Sequence, residues 1–335
     1  MSESLLSIDG LGVEFRSEGR PLVAVDGVSL ELARGEALAI VGESGSGKSV
    51  SSLALMGLLP RTGVQLSGSA RFDGIELLGA DPRARRIRGD RIAMIYQDAM
   101  TALNPTLTIG KQFSLVLRAH GERRRGEIMA RTIATLERVG ISNPSERLGS
   151  YPHQFSGGQL QRIMIALALI GEPELLIADE PTTALDVTVQ AQIVDLVMGL
   201  RAELGMAVIW ITHDLSVIAR LVDRIAVMYA GRLVEEGPVV EVLLRPAHPY
   251  TAGLIASLPR IDRPSQRLEP IPGGLPTVTE SEPLCRFADR CPMASSRCRE
   301  ALPPVVRIGA DHTVSCVHPL RQSAPDRRLA HQEAS

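Results

Sequence analysis

Residues 42–49 read GESGSGKS, and this run decides the fold. The residues before it, ALAIV at 37–41, form a short apolar run typical of a buried strand, and residues 51–59 after it are apolar and compatible with a helix. Glycines inside the run let the backbone curl, so that N–H groups of the loop and of the helix N-terminus face one point. A strand, a glycine-rich loop and a helix in this order predict a phosphate-binding loop.

The loop predicts a site for ATP and Mg²⁺. We expect the Lys48 ammonium to reach the β- and γ-phosphates and the Ser49 hydroxyl to bind Mg²⁺. Phe15 is an aromatic residue placed to stack on adenine, although a position in the hydrophobic core explains it nearly as well. The predicted nucleotide contacts in the loop are Gly42, Glu43, Ser44, Gly45, Ser46, Gly47, Lys48, Ser49 and Val50.

A second apolar run, LLIA at 175–178, ends in the two carboxylates Asp179 and Glu180. Asp179, at the strand end that faces the loop, is expected to hold Mg²⁺ through water. Glu180, one residue further on, is expected to orient the attacking water. Adjacent carboxylates at a strand end are common by themselves, but together with the phosphate loop they predict ATP hydrolysis.

The run FSGGQ at 155–159 separates this chain from other enzymes with a phosphate loop. It resembles the signature sequence of ABC-type ATPases, whose amides at a helix N-terminus bind the γ-phosphate of a nucleotide held by a second subunit. Phe155 replaces the commoner Leu, an apolar exchange that leaves the phosphate contacts unchanged. The predicted contacts from this motif are Ser156, Gly157, Gly158 and Gln159.

Other elements of the ABC family follow in the same order. Gln97 resembles the Q-loop residue, which is also a ligand of Mg²⁺, and His213 resembles the switch histidine that contacts the γ-phosphate. Residues 184–186 resemble the D-loop, with Asp186 as the predicted contact. Together with Glu180, the residues Gln97 and His213 form the predicted catalytic set. Because each nucleotide would lie between the loop of one subunit and the signature of another, the active unit is expected to be a dimer.

Composition limits the class of protein. The chain has 335 residues, of which 44% are hydrophobic, and this is sufficient for an α/β core and a second small domain. Its formal net charge is −2. Basic clusters at 83–91 and 118–131 contain acidic residues and lack interleaved aromatic residues, so no nucleic-acid site is predicted. The N-terminus resembles no leader peptide, and the longest apolar run, 163–170, is far shorter than a membrane span of about 20 residues. We therefore expect a cytosolic chain.

Prolines and glycines divide the chain. Strand-like and helical patterns predict an α/β nucleotide-binding domain at 1–240, with a mixed sheet core and a helical subdomain at about 98–165. A C-terminal extension follows at 241–335. Within it, a cluster of prolines and glycines indicates an extended linker at about 258–284, ahead of a small Cys-rich domain.

All four cysteines lie in one segment of the tail, 285–316. A cytosolic ATPase keeps its thiols reduced, so a shared metal site is favoured over disulfides. The spacing matches neither the usual zinc pattern nor the common ferredoxin patterns, so it leaves the metal open. Four reduced cysteines packed as small hydrophobic residues are the alternative. The predicted ligands are Cys285, Cys291, Cys298 and Cys316.

Nearly the whole chain resembles the ATP-binding subunits of oligopeptide and dipeptide ABC importers, and most closely the D-type dipeptide subunit. The specific segments are DAMTALNPTLTIG at 98–110, HPYTAGLIASLP at 248–259 and CRFADRCP at 285–292. The resemblance implies an ATPase at the cytoplasmic face of the inner membrane that powers import of peptides. It also implies a [4Fe–4S] cluster on the four cysteines, with zinc as the alternative.

The same resemblance implies partners: two membrane permeases, an extracytoplasmic peptide-binding protein and a second ATPase subunit, which makes a heterodimer more common than a homodimer. Three alternatives stay open. Nickel or another small solute would replace the peptide, or the chain would be a soluble ABC ATPase of translation or DNA repair, or its tail would sense redox state or iron. Soluble ABC ATPases usually have two nucleotide domains or a long coiled-coil insertion, which this sequence lacks.

Overall fold

The structure is a computed structural model that describes residues 4–16, 20–182, 186–258 and 270–320. Its strands are β1 (Ser4–Phe15), β2 (Leu22–Ala33), β3 (Ala37–Val41), β4 (Val64–Phe72), β5 (Ile75–Glu76), β6 (Ile92–Ile95), β7 (Leu175–Asp179), β8 (Ala207–Thr212), β9 (Arg224–Tyr229), β10 (Arg232–Pro238), β11 (Val305–Arg307) and β12 (Thr313–Ser315). Its α-helices are α1 (Lys48–Leu55), α2 (Pro82–Ile87), α3 (Ala99–Ala102), α4 (Ile109–Ala119), α5 (Arg125–Arg138), α6 (Pro144–Arg147), α7 (Gly157–Leu169), α8 (Val187–Leu204), α9 (Leu215–Ile218), α10 (Val239–Leu244), α11 (Pro249–Ala256) and α12 (Arg297–Glu300). Single 3₁₀ turns span Pro152–Gln154 and Ala288–Arg290.

The larger sheet is mixed. It has eight strands in the order β11, β12, β10, β9, β3, β8, β7 and β6. The five strands from β9 to β6 run parallel to one another, whereas the pairs β9–β10, β10–β12 and β12–β11 are antiparallel. Because carboxyl ends of parallel strands lie at one edge, the residues that follow β3, β6, β7 and β8 meet there.

Strand β3 shows how the sheet separates two hydrophobic cores. Its five residues are all buried, and alternate side chains face opposite sides. Ala39 belongs to a core shared with α4, α5, α7 and α8, whereas Leu38 and Ile40 belong to a core shared with α1 and the second sheet. A strand covered on both faces is apolar throughout, which explains the run ALAIV.

The second sheet is antiparallel, with the order β2, β1, β4, β5. It covers the core that contains Leu38 and Ile40. On the other side of the mixed sheet, helices α3 to α7 lie between residues 99 and 169 and carry buried residues such as Phe113 and Ile163. The predicted mixed sheet and helical insertion are therefore both present. No helix in the described ranges is long and apolar enough to cross a membrane.

The C-terminal region joins the mixed sheet. Strand β12 pairs with β10, with Val314 opposite Glu235. The Glu235 carboxylate is buried and accepts hydrogen bonds from Ala247 N (2.7 Å), His248 N (2.8 Å) and His312 Nε2 (2.8 Å). Three donors satisfy this buried acceptor, so the tail is fixed to the cassette by main chain and side chains alike.

Part of the predicted linker packs on the cassette. Residues 270–284 contain neither helix nor strand. Nevertheless, Val23 N donates to Val278 O over 2.8 Å, which attaches this segment to the start of β2. Residues 259–269 of the predicted linker lie outside the described residues.

Candidate active site

The phosphate-loop sequence forms the connection between β3 and α1. The φ angle of Gly47 is 102°, and a Cβ atom there would lie 2.4 Å from the Ala24 carbonyl oxygen. At Gly42 a Cβ atom would lie 2.1 Å from the carbonyl oxygen of Met228. Only glycine fits at these two positions, because the loop is pressed against the neighbouring strands. The N-terminus of α1 directly follows this loop, so its free N–H groups can bind phosphate together with those of the loop.

Lys48 is held inside this loop. Its side chain is buried, and Nζ donates to Gly42 O (2.8 Å) and Glu43 O (2.9 Å). Burial lowers the pKa of the ammonium group, while the nearby carboxylates of Glu180 and Asp179 oppose this shift. The chain thus places a cation at the point where phosphates are predicted. Its contact with phosphate stays a prediction.

The two groups predicted to bind Mg²⁺ meet. Ser49 Oγ donates to Asp179 Oδ1 over 2.9 Å, which joins the first turn of α1 to the end of β7. Asp179 is buried, and burial raises its pKa, while the Ser49 hydrogen bond and the Lys48 charge act in the opposite direction. Hydroxyl and carboxylate oxygens are suitable ligands for Mg²⁺, which also keeps several waters. The donor set therefore fits the predicted ion.

The three predicted catalytic residues also meet. Glu180 Oε2 lies 3.3 Å from Gln97 Nε2 and 3.2 Å from His213 Nδ1. These residues follow β6, β7 and β8, so the sheet order explains their meeting. Glu180 has a φ angle of 45°, an uncommon backbone conformation for this residue type, and its N–H donates to Ile211 O over 2.9 Å. Such strain persists where the surrounding structure fixes it, often at functional sites.

One cavity of about 750 Å³ collects most of the predicted residues. This volume is within the range of about 300–1,000 Å³ that small-molecule sites usually have. Its predicted lining residues are Phe15, Gly42, Glu43, Ser44, Gly45, Gly47, Lys48, Ser49, Val50, Gln97, Glu180 and His213. Ser46 and Asp179 are buried behind the lining.

Further lining residues come from outside the predicted nucleotide-binding motifs. They are Leu22, Val23, Ala24, Ala230, Leu254, Pro276 and Val278. The last three belong to the C-terminal region, so this region forms part of the cavity wall. Nothing in the sequence pointed to Pro276 and Val278, because apolar residues in a proline-rich segment carry no motif. Leu254 lies within the HPYT segment, which pointed to the family but to no contact with the nucleotide.

The signature motif lies elsewhere. Ser156 caps α7: its Oγ accepts from Gln159 N (3.4 Å) and its N–H donates to Gln159 Oε1 (3.1 Å). Ser156 and Gly157 are exposed and do not line the cavity. Phe155, in contrast, is buried and packs under the guanidinium of Arg147. The structure thus presents the predicted γ-phosphate contacts to solvent rather than to the chain's own nucleotide cavity.

The D-loop shows the same separation. Asp186 is exposed, does not line the cavity and caps α8 by accepting a hydrogen bond from Val189 N over 3.0 Å. Ala184 and Leu185, the other two D-loop residues, lie outside the described residues. A site completed by a second subunit needs both motifs to be exposed in this way.

The four cysteines occupy one region without a disulfide. Cys285 N donates to Cys298 O over 2.9 Å. Burial raises the pKa of the Cys285 and Cys291 thiols and that of Cys316 to about 11, and the neighbouring cysteines add to each shift. His318 N donates to Cys316 Sγ over 3.3 Å. Across the described ranges, no three His, Cys, Asp or Glu side chains are arranged to hold one metal ion.

Comparison with protein families gives two matches. Residues 25–183 match the family described as ABC transporter, and residues 234–298 match the oligopeptide/dipeptide transporter C-terminal region. A protein of Brucella ovis that has been assigned as a peptide import ATP-binding protein is 46% identical over 328 residues, which cover 94% of this chain and 97% of the relative. A Brucella abortus protein with the same assignment is 48% identical over 300 residues, which cover 89% of this chain and 90% of the relative.

Solved structures give the same fold. The ATP-binding cassette MJ0796, in a dimeric post-hydrolysis state with ADP and phosphate, has a TM-score of 0.62 and 29% identity, and the match covers 70% of this chain and 98% of that one. The protein cbiO1 of Clostridium perfringens, part of the transporter complex cbiONQ, has a TM-score of 0.60 and 28% identity over 73% and 92% of the two chains. The predicted cassette fold is confirmed.

Proposed function

The chain belongs to the family of ATP-binding subunits of ABC-type oligopeptide and dipeptide importers, and we propose that it hydrolyses ATP to drive peptide import through separate permease subunits. One observation carries the proposal for hydrolysis. The Ser49–Asp179 hydrogen bond and the contacts of Glu180 with Gln97 and His213 assemble one site from motifs scattered along the chain. The site has groups for phosphate, for Mg²⁺ and for the attacking water.

Each group has a distinct role in this proposal. The loop N–H groups, the α1 N-terminus and Lys48 bind the phosphates. Mg²⁺, held at Ser49 and Asp179, would neutralise charge on the phosphate oxygens. Glu180 orients a water whose oxygen attacks the γ-phosphorus, and the bond from this phosphorus to the leaving ADP oxygen breaks. His213 and Gln97 both contact Oε2 of Glu180 and line the same cavity.

The active unit in this proposal is a dimer. The exposed Ser156 and Gly157 and the half-buried Gly158 of one subunit would contact the γ-phosphate bound by the other. This arrangement is supported by the exposure of the signature and by the dimeric state of the MJ0796 cassette. The partner is a second ATPase subunit, either identical or a related chain. Closure and opening of the dimer would drive two permeases from the cytoplasmic face of the inner membrane, and an extracytoplasmic binding protein would deliver the peptide.

Peptides are the substrate class best supported. The C-terminal match names oligopeptides and dipeptides, and the Brucella relatives have been assigned to peptide import over nearly their whole length. Neither observation favours nickel or a soluble ABC ATPase. The chain itself determines no peptide preference, because the residues that contact the substrate would belong to other chains.

Co-purification tests the transporter proposal. A tagged Glu180→Gln chain is extracted from membranes in mild detergent with ATP, and its partners are identified by mass spectrometry. We expect two permeases and a second ATPase subunit, with a peptide-binding protein at lower yield. Recovery of ribosomal or DNA-repair proteins without a membrane partner would contradict the proposal. Omission of ATP serves as the control for the closed state.

We propose further that the four cysteines bind a [4Fe–4S] cluster. A zinc site requires its ligands to converge on one ion, and no such group is present among the described residues. A [4Fe–4S] cluster instead binds its four thiolates at four different iron atoms, so it needs the sulfurs in one region rather than around one point. The neighbouring cysteines raise the pKa of Cys285 and of Cys316, which supports such a grouping.

Spectroscopy tests this assignment without reference to activity. Anaerobically purified protein should contain about four iron atoms per chain and show a broad visible absorption that a reductant bleaches. Cys298→Ser should reduce the iron content. The control Ser295→Ala removes no predicted ligand and should leave the iron content unchanged. Stoichiometric zinc without iron would contradict the cluster.

A further inference from the structure

We propose that Pro276 and Val278 form a wall of the nucleotide site that binds the nucleoside, and that Arg290 positions this wall through its ion pair with Glu43 of the phosphate loop. The inference rests on the proposed ATP site and extends it into the C-terminal region. It assigns a binding role to a segment that the sequence presents as a linker.

The wall continues a surface that already contains Phe15. In the pairing of β1 with β2, Phe15 lies opposite Leu22. The next residue, Val23, donates its N–H to Val278 O over 2.8 Å. Val278 is therefore attached beside the aromatic residue that the sequence offered for adenine stacking, and all four residues line the same cavity.

Chemistry divides the cavity into two parts. The phosphate part contains the loop amides, Lys48 and Ser49. The catalytic residues Gln97, Glu180 and His213 also line the cavity. A separate set of lining residues is apolar and includes Phe15, Leu254, Pro276 and Val278. A purine base presents flat faces that gain free energy when they leave water against apolar side chains. Once the phosphates are on the loop, the nucleoside has this apolar part of the cavity available to it.

Arg290 connects the wall to the phosphate loop. Its guanidinium forms a two-pronged ion pair with Glu43, at 2.8 Å and 3.0 Å, and its Nε donates to Pro272 O over 2.8 Å. A weaker contact to Ile271 O is 3.3 Å long. The Arg290 side chain is only 8% exposed. A planar guanidinium suits this task because it can bind a carboxylate and a carbonyl in fixed relative positions.

Tyr250 adds a second connection at the same point. Glu43 N donates to Tyr250 Oη over 2.9 Å, and the Tyr250 ring packs edge-on against Tyr229. The Arg290 guanidinium lies 5.7 Å from the centre of the Tyr229 ring. Main chain and side chain of Glu43 are thus both bound by the C-terminal region. A change in the position of this region would be transmitted to the loop and to the wall together.

Binding experiments on the full-length chain separate the wall from the loop. ADP carries both phosphate and nucleoside, whereas pyrophosphate carries phosphate alone, and neither is hydrolysed at this site. Calorimetry with Mg²⁺ should show that Val278→Asn weakens ADP binding about tenfold and leaves pyrophosphate binding within twofold. Pro276→Ser, at an exposed residue, should act in the same direction with little effect on folding. Val305→Asn, at an exposed valine far from the cavity lining, is the matched control.

The possible results distinguish a failure of the wall from a failure of the proposed ATP site. ADP affinities within twofold of the wild type in both the Val278 and Pro276 variants would overturn the wall. A wild-type chain that binds neither ADP nor pyrophosphate, or a Lys48→Ala variant that binds both normally, would overturn the proposed ATP site instead.

Arg290 is tested as a positioning residue by the same comparison. Arg290→Met should weaken ADP binding several-fold more than pyrophosphate binding, and Arg290→Lys should restore part of the difference. Arg299→Met removes a surface ion pair with Asp289 and serves as the control. Equal losses for ADP and pyrophosphate in Arg290→Met would show that Arg290 acts on the phosphate loop alone and would overturn its role at the wall.

Discussion

Ser49 donates a hydrogen bond to Asp179 over 2.9 Å, although 130 residues separate the two in the sequence. Each residue stands at the end of a buried element, at the start of α1 or the end of β7, so neither position can shift without disturbing the core. The predicted Mg²⁺ site is therefore preformed before the ion binds, which reduces the cost of binding.

Asp179→Asn should reduce the benefit of Mg²⁺ for ATP binding. The pKa of Asp179 is raised by burial, so its proton competes with Mg²⁺ at a higher pH than for an exposed Asp. We expect wild-type affinity for Mg²⁺–ATP to fall with acidification, and Asn to reduce the Mg²⁺ benefit and to remove this pH dependence. Titrations with and without EDTA between pH 5 and 8 measure the difference. An unchanged Mg²⁺ benefit in the variant would exclude Asp179 as a ligand.

Glu180→Gln should retain ATP binding and lose turnover. The amide keeps the size of the side chain but removes the charge that orients and polarises water, and the loss should be about 100-fold or more. Steady-state ATPase assays and nucleotide titrations measure the two properties separately. Glu172→Gln changes an exposed glutamate that does not line the cavity and serves as the control. Near-normal turnover in Glu180→Gln would refute the assigned role.

Ser156→Arg should abolish ATPase activity of the assembled transporter without weakening nucleotide binding by the isolated chain. The exposed signature does not line the chain's own cavity, so a large side chain there obstructs only a partner's nucleotide. Binding assays on the purified subunit and turnover assays on the complete complex make the comparison. Gly126→Arg, at an exposed helix position, is the control. Weaker binding in the isolated Ser156 variant would argue against a site shared between subunits.

His248→Asn should flatten the acid dependence of stability. Burial lowers the pKa of His248 to about 4, while Glu235 opposes the shift, so the unfolded chain takes up the proton first. The contribution of His248 to the free energy of unfolding is fully present above pH 6.5. It declines as the pH falls towards 4, by at most about 3 kcal/mol. His248 Nδ1 accepts from Tyr250 N at the start of α11, and Asn can preserve that cap.

Urea unfolding at pH 4.5 and pH 7 measures this effect. The free energy of unfolding should differ less between the two pH values in His248→Asn than in the wild type. The exposed His120→Asn is the matched control. An unchanged pH difference in the His248 variant would assign the acid sensitivity to other groups.

Local motifs predicted which residues would lie together at the end of the parallel strands. Lys48, Asp179 and Glu180 follow buried strands whose apolar runs are visible in the sequence, and parallel strands bring such ends together. The assignment of Gln97 and His213 to the nucleotide site came from the resemblance to ABC ATPases, and their contacts with the Glu180 carboxylate came only from the structure. The structure then supplied the geometry that the resemblance lacked.

The other half of the cavity was not predictable in this way. Arg290 reaches Glu43 across 247 residues, and neither residue has a periodicity or spacing that links it to the other. The prolines near Pro276 correctly indicated a segment without helix or strand, but irregular backbone gives no sign of what it packs against. Clustering of the cysteines was visible for the opposite reason: thiols carry a chemistry of their own, whereas Val278 contributes only apolar area.

The Glu235–His312 hydrogen bond also bears on the order in which the protein is made. Its partners are 77 residues apart, and β12, which pairs with β10, begins one residue after His312. At a translation rate of about 5–20 residues per second, β10 would wait about 4 to 15 seconds on the ribosome for its outer neighbour. During this time the edge of the sheet at β10 is unpaired and the Glu235 carboxylate lacks one of its donors. The nascent cassette is therefore open to wrong strand pairing until β12 has been synthesised.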